Sequence, residues 1–241
     1  MLGPETAFIA GIVFLASLVG STSGFGFALL AVPALSLVTG PTDAVVLANA
    51  LSPVHSFALA FLLRSHIEWR VVRRLLASGM IGMPLGLGAL IVVSPGLLRV
   101  IIAVTVLAGV VVLWRGLRIK GGGLALAATG FISGLLKTST GINGPPVVLY
   151  LQGTGVEPIS FRATLATFIL ASSALAVVAL TAGGQVKGEV AVQSAIAVPA
   201  AICGLLLGNR LFERLRPSWF RSMVLLLLLG SAAVTLLSAF I

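Results

Sequence analysis

The chain reads as an all-α polytopic membrane protein built from two inverted-topology repeats, each a broken or re-entrant hairpin plus three full transmembrane helices. Three observations lead there. Hydrophobic residues make up 59% of the 241 and charged residues only 9%, against roughly 25% charged in a soluble domain, and the mean hydropathy is +1.18. A motif occurs twice: Gly20-Ser21-Thr22-Ser23-Gly24-Phe25-Gly26 returns as Lys137-Thr138-Ser139-Thr140-Gly141-Ile142-Asn143, at an offset of 117 residues that Pro41 and Pro158 keep. Further on, Gly82, Gly86, Pro95 and Arg99 match Gly204, Gly208, Pro217 and Arg221 at an offset of 122. Both copies of the motif, moreover, interrupt apolar segments too short to cross unaided. Duplicated halves with broken hydrophobic segments mark a membrane transporter whose site lies where the breaks meet.

In chain order, Glu5–Val19 and Phe25–Thr39 flank the first bend and are short. Fifteen residues of helix reach about 22 Å, against a hydrocarbon core about 30 Å thick. Asp43–Leu63, Val71–Val93 and Leu97–Trp114 follow as clear spans. The Gly116–Gly123 linker is the natural junction, with the break after about residue 118, so that 1–118 and 119–241 form the two repeats of a single transmembrane domain. Gly123–Leu136 and Pro145–Gly153 flank the second bend and are again short. Ile159–Ala182, Val190–Leu211 and Trp219–Ile241 complete the second set of spans. The short pairs read as re-entrant hairpins with tips near the midplane, where irregular backbone is tolerated only if protein or a wet cavity surrounds it. The alternative reading makes all four full crossings, giving ten spans. The N-terminus lacks the basic residues that open a cleavable signal and carries Glu5 in their place.

Basic residues orient the chain. Arg64, Arg70, Arg73 and Arg74 share one loop, Arg115, Arg118 and Lys120 the linker, and Arg210, Arg214, Arg216 and Arg221 a third, while Arg162 starts a span on that side. That gathers 12 of the 15 basic residues on one face, the cytoplasmic one by the positive-inside rule. Both termini then lie on the outer side and the repeats are inverted. This distribution also accounts for the net charge of +9 without nucleic acid as a partner.

The second bend carries the chemistry. Pro145-Pro146 suits the first turn of a helix, where a missing N–H costs nothing. A helix starting there aims its positive end at Lys137, Thr138, Ser139, Thr140, Gly141, Asn143 and Gly144. Hydroxyls, free N–H groups and one ammonium at membrane depth suit an oxyanion. The first bend offers Ser21, Thr22, Ser23, Gly24 and Gly26 but no charge, since Gly20 stands where Lys137 does. One small anion between two related tips, with one cationic contact, is the arrangement expected. The bland reading is that the glycines allow close packing and the hydroxyls bond backbone, and that Lys137 snorkels to a surface.

His55, beside Pro53 in the middle of a span, is a further candidate for contacting the anion or carrying a proton. Asn49 lies on the same helix less than two turns earlier, and the counterparts of His55 in the other half are near Ser172 and Ser173. Arg162 is placed to meet an anion at the inner mouth, or simply to set topology. All six carboxylates lie near segment ends or in loops, so a carboxylate proton relay and a cation site both lack parts. No phosphate-binding loop, metal-ligand cluster or catalytic pair is present in the sequence, so no cofactor and no enzyme activity are expected. The lone Cys203 excludes an internal disulfide.

Gly24-Phe25-Gly26-Phe27-Ala28-Leu29-Leu30-Ala31-Val32-Pro33, Thr140-Gly141-Ile142-Asn143-Gly144-Pro145-Pro146-Val147-Val148-Leu149-Tyr150 and Phe161-Arg162-Ala163-Thr164 together resemble the TauE/SafE family of sulfite exporters and sulfonate permeases. The likeness extends through His66-Ile67-Glu68-Trp69 and the Gly82/Gly204 repeat, nearly the whole chain. Phe25 and Pro145 interrupt the longer glycine runs that many members carry, which leaves the substrate subgroup open. The resemblance implies movement of small sulfur-containing or organic anions, such as sulfite, sulfoacetate or sulfonates, across a bacterial inner membrane. A secondary transporter, most simply an exporter with H+ or Na+ as coupling ion, is the leading expectation. A passive anion channel and a non-transporting membrane partner or sensor are the alternatives. Beyond the lipid bilayer and the anion no partner is expected, and nothing in the sequence sets an oligomeric state.

Overall fold

The computed structural model describes residues 4–21, 26–119, 121–212 and 228–239. Among them the secondary structure is helical, with no strand. The helices are α1 Pro4–Gly20, α2 Gly26–Val38, α3 Pro41–Leu62, α4 Trp69–Val92, α5 Pro95–Arg115, α6 Gly123–Thr140, α7 Gly144–Gly153, α8 Pro158–Ala182 and α9 Gly188–Phe212, followed by the described part of α10, Leu228–Leu237. A 3-10 turn, Arg64–His66, joins α3 to α4.

Proline and glycine punctuate the chain where sequence logic puts them. Pro41, Pro95 and Pro158 each open a helix, a position where the absent N–H is no loss. Ser94 caps α5 by accepting from the Leu97 amide at 3.4 Å. Gly116 and Gly141 end α5 and α6 in the left-handed conformation, with φ of 58° and 73°, which a residue with a Cβ adopts only under strain.

Five helices, α3, α4, α5, α8 and α9, are long and apolar enough to cross a membrane. They coincide with five of the six spans read from the sequence. The sixth, Trp219–Ile241, lies largely outside the described residues. The short helices behave differently. With 13 and 10 residues, α2 and α7 reach about 20 and 15 Å, well under a hydrocarbon core of about 30 Å. α7 folds back along α6: the Ile119 amide, ahead of α6, donates to Leu149 O of α7 at 3.2 Å, and Gly153 lies so close to Ile119 that no Cβ fits between them. The chain therefore enters α6 and leaves α7 at the same end of the bundle, with Gly141–Asn143 as the tip. α2 packs back along α1 in the same manner, Leu30 and Ala34 sharing an apolar groove with Ile12, Ala16 and Val19.

Glycines weld the two halves by exchange. A Cβ on Gly82 of α4 would collide with Phe131 O and Leu135 N of α6, and one on Gly86 with Leu135 O and Thr138 Oγ1. In the other half, a Cβ on Gly204 of α9 would collide with Phe14 O and Leu18 N of α1, and one on Gly208 with Leu18 O and Ser21 Oγ. Phe14, Leu18 and Ser21 become Phe131, Leu135 and Thr138 at the 117-residue offset, as Gly82 and Gly86 become Gly204 and Gly208 at the 122-residue offset. α4 thus lies on α6 and α9 on α1, at positions related by the two sequence offsets. Small residues at such crossings let backbones approach, which drives packing where lipid supplies no hydrophobic force.

Candidate functional site

Lys137, in the last turn of α6, is among the described residues the largest side chain with no solvent exposure. Its Nζ has no hydrogen-bond partner among the described residues. An unpaired ammonium in an apolar interior costs several kcal/mol. Lys137 lines a cavity of about 10 Å³ together with Phe27 and Ala28 from α2, Ser52, His55 and Ser56 from α3, Ile142, Asn143 and Gly144 from the α6–α7 tip, and Ile169 from α8. That volume suffices for about one water. Two further polar atoms among its lining residues, His55 Nδ1 and Ser56 Oγ, are buried without partners.

The cavity lies where the halves mirror one another. Phe27 and Gly144 line it and are 117 positions apart, as are Ser52 and Ile169. The beginnings of α2 and α7 meet here. The positive end of α7 is partly blanked, because Pro145 and Pro146 follow Gly144 and carry no N–H, leaving the amides of Gly144 and Val147 in its first turn. Cationic character at the site therefore rests on Lys137 more than on the helix end.

Each neighbour is fixed locally. His55 Nε2 is hydrogen-bonded to Ser17 Oγ of α1 at 2.9 Å, and its ring stacks on Phe27 with centroids 4.3 Å apart. Asn143 Nδ2 donates to Ser172 Oγ of α8 at 2.8 Å. Ser172 is the residue matching His55 across the repeat. Asn49 does not line the cavity. Its Nδ2 donates to Val45 O at 2.8 Å and to Lys137 O at 3.2 Å, so it ties α3 to the turn that carries the lysine.

The hydroxyls expected at the second bend are occupied otherwise. α6 runs through Thr140, four residues beyond the Gly123–Leu136 segment read from the sequence, so Lys137–Thr140 is helix and the bend proper is Gly141–Asn143. Thr138 Oγ1 donates to Met83 O at 2.7 Å, Ser139 Oγ to Leu135 O at 2.8 Å and Thr140 Oγ1 to Leu136 O at 2.8 Å. None of these three lines the cavity, nor does Gly141, whose role is the left-handed turn. In an apolar helix a hydroxyl commonly bonds a carbonyl one turn back, as those of Ser139 and Thr140 do, while that of Thr138 ties α6 to α4.

In the first bend, Thr22, Ser23 and Gly24 lie outside the described residues. Gly26 opens α2. Ser21 Oγ donates to Leu18 O at 2.8 Å and lines a second cavity, of about 100 Å³, together with His55, Arg162 and Asn209. Arg162 also borders a third cavity, of about 490 Å³, with Arg118.

Of the residues singled out from the sequence, the structure brings Lys137, His55, Asn143 and Gly144 to one cavity. Ser52, Ser56 and Phe27 join them unannounced, and Ser17 holds His55 from behind. Ser52 had a signal, since it stands one helical turn before His55 on the same face. Ser17 had none: a single serine in an apolar helix is common in membrane bundles.

The fold and site are now joined by comparison with known proteins. Residues 9–235 match the family described as "Sulfite exporter TauE/SafE". The "Probable sulfite/organosulfonate exporter TauE" of Cupriavidus necator is 27% identical over 252 residues, covering 99% of this chain and 92% of that protein. The "Probable inner membrane transporter protein TsaS" of Comamonas testosteroni is 29% identical over 106 residues, 44% of each chain. No solved structure matches significantly. The chain belongs to the TauE/SafE family, and is a membrane transporter rather than an enzyme.

Proposed function

We propose, taking family membership as the premise, that the protein is a secondary transporter, an exporter, of small sulfur-containing or organic anions across the bacterial inner membrane. The observation that carries this reading is the wholly buried Lys137 with its unpartnered Nζ on a cavity shared with His55 and Ser56. A single fixed cation among partly apolar walls favours one small monovalent or divalent anion and gives a cation nothing to bind. The relatives' names, one an exporter of sulfite or organosulfonate and one an inner-membrane transporter, agree with that class of substrate and with that membrane.

In this reading the α1–α2 and α6–α7 hairpins are re-entrant, and their tips meet near the midplane. Residues 1–118 and 119–241 are the inverted repeats. The exchanged glycine contacts support a two-fold relation, and the basic-residue distribution supports both termini lying outside. Arg162 stands at the inner mouth. A cavity of about 10 Å³ has room for about one water, so the site must widen before an anion such as sulfite binds, and a carrier that changes shape accommodates that step.

The test is flux in proteoliposomes with a panel of sulfite, thiosulfate, sulfonates and small carboxylates. A coupled carrier gives saturable flux that responds to an imposed H+ or Na+ gradient. Non-saturating flux would make it a channel, and no flux with retained binding a sensor.

A further inference from the structure

Three cavities form a series in which successive members share a single lining residue. His55 lines both the cavity of about 10 Å³ at Lys137 and the one of about 100 Å³ next to it. Arg162 lines that second cavity and the third, of about 490 Å³, where Arg118 also lies. Leu62, at the end of α3, borders the second cavity as well, so the space follows α3 for about 10 Å from His55 toward the basic loop. Arg162 is exposed and has no ion pair or hydrogen bond among the described residues. Ser21 and Asn209 add polar atoms to the same wall.

The opposite end of α3 looks different. There Asp43 pairs with Lys187 at 3.0 Å, tying the start of α3 to the α8–α9 connection. The series of cavities therefore leads from Lys137 toward the face that carries Arg64, Arg115 and Arg118.

We propose that the second cavity is an inner waiting site for a small oxyanion or sulfonate, held by Arg162, and that the His55 ring is the partition the anion passes to reach Lys137. This rests on the reading of the chain as an anion transporter. The volumes fit the roles, since the inner space has room for a several-atom anion and the Lys137 cavity for about one water. The ring is held by one hydrogen bond, to Ser17, and one stacked face, on Phe27. Both anchors come from the α1–α2 hairpin, so a shift of that hairpin against α3 would move the partition and open the way.

Cysteine accessibility tests this on the full chain in inside-out membrane vesicles. In a Cys203→Ser background, Ala58→Cys reports on the second cavity and Ser52→Cys on the first. The probes are a methanethiosulfonate bearing an ethylsulfonate group and its trimethylammonium counterpart. Ala58→Cys is expected to react with both, the anionic probe gaining about tenfold from the local positive field, and to lose that preference in Arg162→Gln. Ser52→Cys is expected to be protected while His55 is present, to become reactive in His55→Ala, and to gain a smaller increment in Ser17→Ala, which only unties the ring. An unchanged unfolding temperature and monodisperse elution of His55→Ala in detergent certify the fold. Should His55→Ala not fold, Ser17→Ala decides alone, and no rise there overturns the proposal. It is equally overturned by Ser52→Cys reactivity independent of His55, by absence of charge preference at Ala58→Cys, or by labelling only from the outer face. These rates do not depend on net flux, so loss of the transport reading and loss of this inference register separately.

Discussion

At the end of α1, a Cβ on Gly20 would meet Phe27 N at 2.6 Å and Phe27 Cα at 2.8 Å, because α2 begins hard against it. At the matching position of α6 stands Lys137, fully enclosed and with a free Nζ. The two hairpins pack on their partner helices through corresponding residues, yet the end of α1 has no room for a side chain at position 20 and the end of α6 houses a cation. The difference separates two tasks. Related packing brings the start of α2 and the α6–α7 bend to one cavity, and divergence of one position equips that cavity with a single charge. Gly20 borders the neighbouring cavity of about 100 Å³ and not the one at Lys137, so the small cavity receives its one ammonium from the second half of the sequence alone. One anion and one cation is the stoichiometry this asymmetry favours.

The shared part of the comparison breaks most severely at the glycines. Gly82→Val and Gly204→Val should each destabilise the protein by about 1–3 kcal/mol or more, because the added atoms meet backbone that cannot move aside. Thermal unfolding in detergent checks this. Matching losses at the two positions are expected, and a neutral result at either would break the correspondence between halves. The divergent part breaks at Lys137. Lys137→Ala should weaken anion binding by roughly 1.5–3 kcal/mol, about ten- to a hundredfold, with the fold intact because no carboxylate is stranded. Lys137→Arg should restore only part of the affinity, since a planar fork does not replace a compact point charge. Titration calorimetry with sulfite and methanesulfonate reads both.

Smaller effects sharpen the picture. Asn49→Ala removes the tie to Lys137 O and should cost about 0.6 kcal/mol, the average for such bonds between membrane helices, with a modest loss of anion affinity as the α6 end loosens. Smallest is Lys187→Gln, which breaks the Asp43 pair. Lys187 is 65% exposed, so stability should change by less than about 1 kcal/mol. Any effect should appear in outer-side labelling rates instead.

Much of this was legible in the sequence because membrane burial writes long apolar runs. The ends of α3, α4, α5, α8 and α9 fall within a few residues of the spans read from hydropathy. The repeat was legible because Gly82 and Gly204 must be glycine for a steric reason. Thr138, Ser139 and Thr140 misled because polarity in an apolar chain reads as a bend, whereas hydroxyls that bond one turn back let a helix continue at little cost. Ser17 was invisible because its importance comes from a hydrogen bond to His55, 38 residues away on α3, a tertiary fact. Lys137 was legible for the opposite reason: burial of a cation is costly enough that its position alone carries information.

The central claim is that the anion binds at Lys137. The most direct measurement is a structure of the protein soaked in selenite, a sulfite analogue whose selenium is located by anomalous scattering. One peak is expected in the Lys137 cavity, with a selenite oxygen about 2.7–3.2 Å from Lys137 Nζ. A peak elsewhere, with the Lys137 cavity empty in protein that still transports sulfite, would contradict it.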